Sequence, residues 1–450
     1  MLTPLAALER LESALAKARA AGADTADCVY VGSASQSVGI RMGALEDATR
    51  SESEDLGLRV FVGARSAQVA TSDLSSEGLA AAAERAVAMA RVAPEDPYAG
   101  LADPALLASG AFPDLDLFDE AAAGIAPERL RELAEAAEGA ALATSGVTNS
   151  EGGNASAGES VSALATSTGF RGAQRASSIS VSAVMIAGTG DAMQRDYDWA
   201  EARHLADLDS AEDIGRSAGA RTVSRLNPIR LPTGRMPVLF DWRVSASLLG
   251  HLLGAMSGQS IARRTSFLLD HEGGQIFASG IIIREEPHRR RGLRSRAFDG
   301  EGLPTRPQAI VDDGRIGPWL LDSASARQLG RTPTGHASRG IGGAPGVSTA
   351  NLHLAAGTRS VVELMADIDL GFLVTELIGM GVNGLTGDYS RGASGFAIRN
   401  GQIAEPVTEM TIAGNLLDMF RALGPANDLV FRHATNAPTV RIDGMTVAGA

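Results

Sequence analysis

The histidines of this chain are the side chains best suited to metal or acid–base chemistry, and one of them lies in a helical pattern. His251 stands in the segment LLGHLLGAMSGQS, Leu248 to Ser260. A zinc peptidase helix carries a glutamate directly after its first histidine and a second histidine four or five residues on, which brings ligands and base together. Here Leu252 follows the histidine, and the later positions hold Ala255 and Met256. The segment therefore has one of the three residues that this chemistry requires.

The remaining histidines show no local metal motif, because no two histidines of the chain are three, four or five residues apart. In the HEGG segment at His271, two glycines follow the glutamate, and glycine is unfavourable inside a helix. A zinc site assembled in the fold from distant His and Asp side chains stays open. The simpler interpretation of His251 is a half-buried histidine with its hydrogen bonds satisfied. The other histidines are His204, His271, His288, His336, His353 and His433.

Two segments are suggestive of ligand binding but have simpler interpretations. HRRRGLRSR, His288 to Arg296, holds five arginines, and the overall acidity of the chain favours a solvated loop or an ion-pairing surface over a nucleic-acid site. RGIGGAPG, Arg339 to Gly346, has Pro345 where a dinucleotide-binding turn would begin its helix. Neither segment therefore predicts a phosphate or nucleotide site.

The glycine-rich segment GVNGLTGDYSRGASGF, Gly381 to Phe396, carries a compact polar set: Asp388, Tyr389, Ser390 and Arg391. Glycines let a backbone come close to a ligand or to another chain, and these side chains offer hydrogen bonds and a stacking ring. The alternative is a β-hairpin with a glycine-rich turn, and the pattern leaves both open. The serine has no neighbouring His–Asp pair, which disfavours a serine hydrolase.

Composition limits the class of protein that can position these residues. The chain has 450 residues, 44% of them hydrophobic and 21% charged, which is typical of a folded protein of two or three domains. A formal charge of −13 argues against nucleic-acid and anionic-membrane binding. The lone Cys28 excludes an internal disulfide and a cysteine zinc knuckle. No apolar run approaches about 20 residues, and the amphipathic N-terminus lacks a signal-peptide core, so we expect a cytoplasmic protein.

The pattern of elements predicts an α+β fold with a helix-plus-antiparallel-sheet domain over residues 1–228 and a β-rich domain over 229–450. The proline-rich segment NPIRLPTGRMPV marks the boundary. A helix-then-sheet order occurs twice in the first part, which hints at duplication. In the second part the strand PVLFDW precedes the His251 helix, and one further helix is predicted among short strands. The predicted helices outside the His251 segment cover about 4–21, 75–92, 127–143, 211–226 and 412–423.

Several longer segments, in this order, make the chain similar to a known family. With these residues the chain resembles the TldD/PmbA family, historically labelled modulators of DNA gyrase, and within it the PmbA branch, also called TldE. The similarity is dense from about Pro237 to Val447. The segments are FLLD (267–270), RSRAFDGEG (294–302), LLDSASARQLG (320–330), TGHASRG (334–340), TANLHLAAG (349–357) and GVNGLTGDYSRGASGFAIRNGQIAEPVTEMTIAGNLLDM (381–419).

The resemblance implies a cytoplasmic metallopeptidase system made of two related subunits that acts on unfolded peptides. In the TldD subunit a His-Glu-x-x-x-His helix and a downstream cysteine bind zinc, and the glutamate handles the proton of the attacking water. The TldE subunit pairs with it as a heterodimer around an enclosed chamber.

Carried onto this chain, the motif places His251 at the first histidine, Leu252 at the glutamate and Met256 at the second histidine. We therefore expect a non-catalytic subunit that holds no zinc itself and that works with a zinc-bearing TldD-like partner. Asp388, Tyr389, Ser390 and Arg391 become candidates for a peptide cleft or a subunit contact, together with Asn351 of the TANLHLAAG segment.

Two other functions stay open at this level. One is a homodimeric metallopeptidase that is active alone through scattered His, Asp and Glu ligands. The other is a binding module acting on DNA gyrase, which rests on the family's older label. The sequence identifies neither the peptide substrate nor whether a homodimer forms without the partner.

Overall fold

The computed structural model describes residues 1–449 and confirms the α+β class, with N-terminal helices on an antiparallel sheet and a β-rich C-terminal region. Ala450, the last residue of the predicted second domain, lies outside the described residues. No helix among residues 1–449 combines the length and the apolar character that crossing a membrane requires. The helices are α1 Pro4–Ala20, α2 Ser76–Val92, α3 Glu120–Ala123, α4 Pro127–Leu142, α5 Ala211–Ser224, α6 Trp242–Met256, α7 Gly258–Ala262, α8 Ser323–Leu329, α9 Val361–Met365 and α10 Leu416–Ala422.

The strands form two six-stranded sheets, one five-stranded sheet and one two-stranded sheet. They are β1 Thr25–Arg41, β2 Ala44–Val62, β3 Arg65–Thr71, β4 Val147–Thr166, β5 Arg171–Ala187, β6 Gln194–Ala202, β7 Gly234–Phe240, β8 Ile283–Glu285, β9 Gln308–Asp312, β10 Arg315–Ile316, β11 Ala337–Ser338, β12 Gly346–Val347, β13 Leu352–Leu354, β14 Leu370–Ile378, β15 Asp388–Arg399, β16 Gln402–Asn415, β17 Gly424–Pro425, β18 Thr435–Asn436 and β19 Val440–Gly449.

The N-terminal sheet has the strand order β3-β2-β1-β4-β5-β6 and is antiparallel throughout. Each half consists of a helix, three strands and a helix: α1 to α2 in the first half and α4 to α5 in the second. The two halves join at the centre of the sheet, where β1 pairs with β4 from Asp27↔Thr166 to Ile40↔Gly153. The repeated order in the sequence therefore corresponds to a repeated structural unit.

Alternation along the strands places the helices on one face of this sheet. Tyr30 of β1 packs under α1 and α2, whereas Ile40, an even number of residues further along, packs under α4 and α5. The alternate residues of these strands face away from the helices, among them Val29 of β1 and Leu164 of β4. They contact Phe170 and the half-buried Phe298 from the C-terminal half. This second face therefore meets loops of the C-terminal region.

The C-terminal sheet has the order β16-β15-β14-β7-β19-β17, and a further pairing of β16 with β19 closes it into a barrel. Its core contains Phe240, Phe372, Ile412 and Val440, together with the apolar side of α6. The N-terminal sheet ends at Ala202 and the barrel begins at Gly234, so the predicted division between residues 228 and 229 falls in the connecting segment. That division stays a prediction.

Two expectations about the C-terminal helices were wrong. The helix predicted over 412–423 begins only at Leu416, because Ile412 belongs to β16 and pairs with Val447 of β19. The Asn415 side chain then accepts a hydrogen bond from the Leu417 amide and caps the helix. The region also contains the short helices α8 and α9, whereas the only helix predicted beyond the His251 helix was the one over 412–423. The His251 helix itself ends at Met256, since Ser257 is extended.

Candidate functional site

Helix α6 places the three positions of the degenerate motif on two different sides. The helix follows β7 and begins at Trp242, with Asp241 as its N-cap, whose carboxylate accepts a hydrogen bond from the Arg243 amide at 3.0 Å. Leu252 and Met256 lie on its buried side, 1% and 0% exposed, among the apolar residues of the barrel core. The residues that the sequence comparison predicts at the positions of the glutamate and the second histidine therefore pack in the apolar core.

His251 lies on the neighbouring side of α6 and is half-buried. Its ring packs edge-on against Tyr389 of β15, with ring centroids 5.9 Å apart. The buried Nε2 has no hydrogen-bond partner among residues 1–449. Burial lowers the pKa of His251, and the nearby Arg391 guanidinium lowers it further. The expected half-burial is correct, whereas the expected satisfaction of the imidazole nitrogen is wrong.

Tyr389 and Arg391 are two residues apart on β15 and therefore point to the same side of the strand. Tyr389 is 1% exposed, and burial raises its pKa to about 12, with Arg391 opposing the shift. Arg391 Nε is buried without a hydrogen-bond partner within the described chain, whereas the Tyr389 hydroxyl interacts with the Arg391 side chain. His251, Tyr389 and Arg391 together are termed the His251 cluster. Its one fixed charge is the positive charge of the guanidinium.

Asp388 and Ser390 point away from this cluster and are exposed. The Asp388 carboxylate accepts hydrogen bonds from Thr386 Oγ1 at 2.7 Å and Asn415 Nδ2 at 3.3 Å, and these bonds lower its pKa. A Cβ atom at Gly381 would lie 1.9 Å from the Ser390 carbonyl oxygen, so this close backbone approach requires glycine. The segment forms the end of the connection between β14 and β15 and most of β15, as the hairpin interpretation predicted, and only two of its four polar residues join His251.

Asn351 is buried in another part of the molecule and holds a loop in place. Its side chain accepts a hydrogen bond from the Arg294 amide at 2.9 Å and donates to the Glu286 carbonyl at 3.0 Å and to Ser295 Oγ at 2.7 Å. These bonds use both the oxygen and the nitrogen of the amide within the 286–295 loop. The structure therefore gives Asn351 a structural role and does not bring it to the His251 cluster.

A cleft of about 270 Å³ lies beside the cluster and is lined by Arg391 and Ser247, one turn before His251 on α6. Its floor is an ion-pair network in which the buried Asp196 carboxylate accepts hydrogen bonds from Arg243 at 2.8 Å and Arg225 at 3.2 Å. Arg225 also pairs with Glu376 of β14. These residues come from four distant parts of the chain, so no local sequence motif could have indicated the cleft.

The residues of this site do not fit zinc. No group of three or more His, Cys, Asp or Glu side chains among residues 1–449 is arranged to hold a metal ion. The His251 cluster offers one imidazole, a phenol that burial keeps protonated, and a guanidinium that repels a cation. Cys28 is buried beneath α1 and α2 in the N-terminal sheet, where burial and Asp27 raise its pKa.

Three stretches that together cover most of the chain match the family of PmbA/TldA metallopeptidases. Residues 26–90 match its domain 1, residues 120–226 its central domain and residues 233–449 its C-terminal domain. The chain belongs to the PmbA/TldD metallopeptidase family. This membership confirms the resemblance found in the sequence.

Among relatives in the PmbA/TldD family, the metalloprotease PmbA of Escherichia coli O157:H7 is 40% identical over 415 residues, which are 92% of this chain and 90% of that protein. The metalloprotease PmbA homolog of Haemophilus influenzae is 38% identical over 416 residues, again 92% and 90% of the two chains. The metalloprotease TldD homolog of the same organism is 23% identical over 220 residues, 48% of this chain and 45% of that protein.

Solved structures share the family fold over nearly the whole chain. A Bacteroides thetaiotaomicron protein named as a modulator of DNA gyrase superposes with a TM-score of 0.90 at 27% identity, covering 98% of each chain. TldE of Thermococcus kodakarensis superposes with a TM-score of 0.86 at 20% identity, covering 98% of this chain and 100% of that chain. The latter likeness shows a common fold for this PmbA/TldD-family chain.

Proposed function

We propose that this chain is a non-catalytic, TldE/PmbA-like subunit of a metallopeptidase that processes peptides, and that a TldD-like partner supplies the zinc and the glutamate. The observation that carries the proposal is the position of Leu252 and Met256 in the apolar core of the barrel. Only His251 of the three motif positions keeps a side chain that can bind a metal.

The chemistry of zinc peptidases supports this assignment. Such a site uses three protein ligands, and a carboxylate removes the proton from the metal-bound water. Leucine cannot transfer a proton, and the methionine thioether lies in the core. Arg391 adds a positive charge beside the one remaining imidazole, which opposes the binding of a second cation. The partner therefore has to provide the hydrolytic centre.

The substrate side of the proposal rests on the family's peptide chemistry. In a heterodimer this chain would contribute part of the wall of the peptide-binding chamber. The residues that line the cleft beside the His251 cluster would form part of that wall. Since Asp388 and Ser390 are exposed at the start of β15, they are available to a partner or a peptide. Asn351 is not available, because its amide is fully used inside the chain.

The test compares this chain alone with the chain co-expressed with a TldD-like protein from the same genome. Zinc is measured by mass spectrometry, and hydrolysis is followed with an unfolded peptide. We expect zinc and hydrolysis only in the complex, and we expect His251→Ala in this chain to preserve both. A matched variant that replaces the partner's motif glutamate by glutamine should abolish hydrolysis without preventing assembly.

The opposite result would be equally clear. Stoichiometric zinc in this chain alone, with hydrolysis that a chelator removes, would overturn the proposal. It would support the homodimeric metallopeptidase with ligands from scattered residues.

A further inference from the structure

A cavity of about 530 Å³ lies between the face of the N-terminal sheet that is opposite its helices and the loops 293–300 and 337–349. Val29 and Leu164 of the sheet and Leu293 and Phe298 of the first loop give it apolar walls. Its volume falls within the range of roughly 300–1,000 Å³ that is common for small-ligand sites. Both halves of the chain therefore line one cavity, which is partly open to solvent and contains none of the residues of the His251 cluster.

The charged side chains that line this cavity are four arginines and one aspartate: Arg203, Arg294, Arg296, Arg339 and Asp299. Two of the five are committed to other contacts. Arg339 pairs with Asp27 at 3.3 Å. The Asp299 carboxylate accepts hydrogen bonds from the amides of Glu301 and Leu303, each at 2.9 Å, and from the Ala337 amide at 3.0 Å. The aspartate thus holds the loop and does not form an ion pair with the arginines.

The other three arginines have no carboxylate within ion-pair distance in the part of the chain that the structure describes. Arg203 donates to the carbonyls of Ser177, at 2.9 Å, and Leu293. Arg296 donates to Ser348, to Oγ at 3.3 Å and to the carbonyl at 2.5 Å. Arg294 is exposed, and among residues 1–449 its guanidinium forms no hydrogen bond. Three unpaired positive charges therefore lie on one wall.

This arrangement is local, because the chain carries a net charge of −13 and the neighbouring arginines are paired. In the same basic run, Arg290 pairs with Asp114 at 3.2 Å and Arg291 pairs with Asp116 at 2.7 Å. The prediction of an ion-pairing loop thus describes the first part of the run. The last part, with Arg294 and Arg296, turns to the cavity.

Burying the charges of Arg203 and Arg296 without a carboxylate partner costs free energy, which a bound anion would offset. Burial lowers the pKa of Arg203 and of Arg296, although Glu201 opposes the first shift and Glu285 and Asp299 oppose the second. The Nε atoms of both arginines are buried without a hydrogen-bond partner among residues 1–449. A buried charge without a compensating partner is strongly destabilising in general. A carboxylate offers the paired oxygens that match a guanidinium.

We propose that this cavity binds the terminal carboxylate of a short peptide, with Arg203, Arg294 and Arg296 on the carboxylate and Leu164 and Phe298 against the last side chain. The apolar walls favour a peptide end over an inorganic anion, because half of the lining would otherwise remain without a contact. The choice of a peptide rests on the proposed function, whereas the positive cavity is a feature of this chain alone.

Calorimetric titration of the chain alone, without metal or partner, tests this site. The probes are the tetrapeptide Ala-Ala-Ala-Phe as a free acid, the same peptide with a C-terminal amide, and inorganic phosphate. We expect the acid to bind at least about tenfold more tightly than the amide, as the loss of a charged hydrogen bond predicts. Arg294→Gln and Arg296→Gln should each weaken binding of the acid by about tenfold or more.

Arg235→Gln is the matched control, since Arg235 is exposed on β7 and lines no part of the cavity; its affinity should equal that of the unaltered chain. Arg294 is exposed, so its variant keeps the test valid if Arg296→Gln fails to fold. Equal affinity for acid and amide, unchanged affinity in the folded variants, or binding of phosphate alone would overturn the proposal. None of these results would change whether hydrolysis requires a TldD-like partner, so the two proposals fail separately.

Discussion

The ring of His251 packs edge-on against the ring of Tyr389, with centroids 5.9 Å apart and ring planes at 77°. His251 Nε2 has no hydrogen-bond partner among residues 1–449, and the Tyr389 hydroxyl interacts with the Arg391 side chain and not with the imidazole. The contact is therefore ring packing and not a proton relay. Arg391, on the same side of β15 as the tyrosine, disfavours a second positive charge on the imidazole. The ring contact with Tyr389 and the nearby charge of Arg391 explain how a histidine can be accommodated at this position of α6 without binding a metal.

His251→Leu should change how stability depends on pH. The pKa of His251 in the folded chain lies below its ordinary value of 6.5, so the unfolded chain takes up this proton first. The unaltered protein therefore loses stability as the pH falls through about 6.5, and the leucine variant lacks this contribution. Urea unfolding at pH 7.5 and pH 5.5 should show the variant gaining relative to the unaltered protein at the lower pH. A difference in unfolding free energy that is equal at the two pH values would contradict this explanation.

Restoring the motif glutamate should damage the fold and should not create a zinc site. Leu252 is 1% exposed in the barrel core, so Leu252→Glu places a carboxylate among buried apolar side chains. We expect a loss of roughly 3 kcal/mol or more, measured by urea unfolding. Leu252→Met, which keeps volume and polarity, should cost less than about 1.5 kcal/mol. If Leu252→Glu combined with Met256→His yielded a stable chain with stoichiometric zinc, the assignment of these positions to core packing would be wrong.

Asp196 should be one of the most sensitive single positions between the two halves of the chain. Its carboxylate is 4% exposed and joins β6 to Arg243 of α6 and to Arg225. Asp196→Asn removes the carboxylate that Arg243 and Arg225 share and leaves Arg225 paired with Glu376 alone, and we expect a loss of about 3–5 kcal/mol in unfolding free energy at pH 7. Asp213→Asn is the control, since its pair with Arg216 is exposed and should contribute less than about 1 kcal/mol.

The pH dependence of the same variant provides a second check. Burial alone would raise the pKa of Asp196, but the hydrogen bond and charge of Arg243, together with Arg225, hold it below 3.8. The stabilisation is therefore present above the unfolded pKa and is lost as the pH falls through the folded one. The cost of Asp196→Asn should shrink in acid. A cost that stays constant down to pH 3 would assign the effect to packing and not to charge.

The sequence predicted those parts of the fold that depend on neighbouring residues. Helices α1 and α2 begin where Pro4 and Ser75 indicate a start, because caps and first-turn prolines act within one turn. The helix predicted from residue 412 failed because the burial of Ile412 comes from pairing with Val447, 35 positions away in the chain. The pairing that closes the barrel joins residues far apart in the chain and has no signal among neighbouring residues comparable to a helix cap.

The sequence likewise indicated some residues of the candidate site and not others. His251 could be identified because the motif that it resembles is contiguous in the sequence. That Tyr389 and Arg391 lie on the same side of the strand follows from strand alternation once β15 is known. Whether Asp388 or Tyr389 faces inward depends on the register of the barrel, which the sequence alone does not specify. The Asp196 network and the arginine cavity combine residues from both halves, so only the folded chain reveals them.

Glu301 should make the protein less stable as the pH rises towards neutrality. It is 4% exposed, and burial raises its pKa to about 7, although the Ser323 hydrogen bond and Arg59 oppose the shift. Between the ordinary value of 4.5 and this value, the folded chain holds a proton that the unfolded chain releases. Stability from this group therefore falls as the pH rises from about 4.5 to about 7 and stays low above that, a difference on the order of 3 kcal/mol.

Glu301→Gln should remove this dependence, since its amide oxygen can still accept the Ser323 amide hydrogen bond that the carboxylate accepts at 2.8 Å. We expect the variant to be more stable than the unaltered protein by about 1–3 kcal/mol at pH 8 and nearly equal to it at pH 4.5. Urea unfolding at the two pH values measures both differences. Glu84→Gln, at an exposed position of α2, is the control and should show no such change. A variant that is less stable at pH 8 would mean that the ionised carboxylate is stabilised by Arg59 more than burial disfavours it.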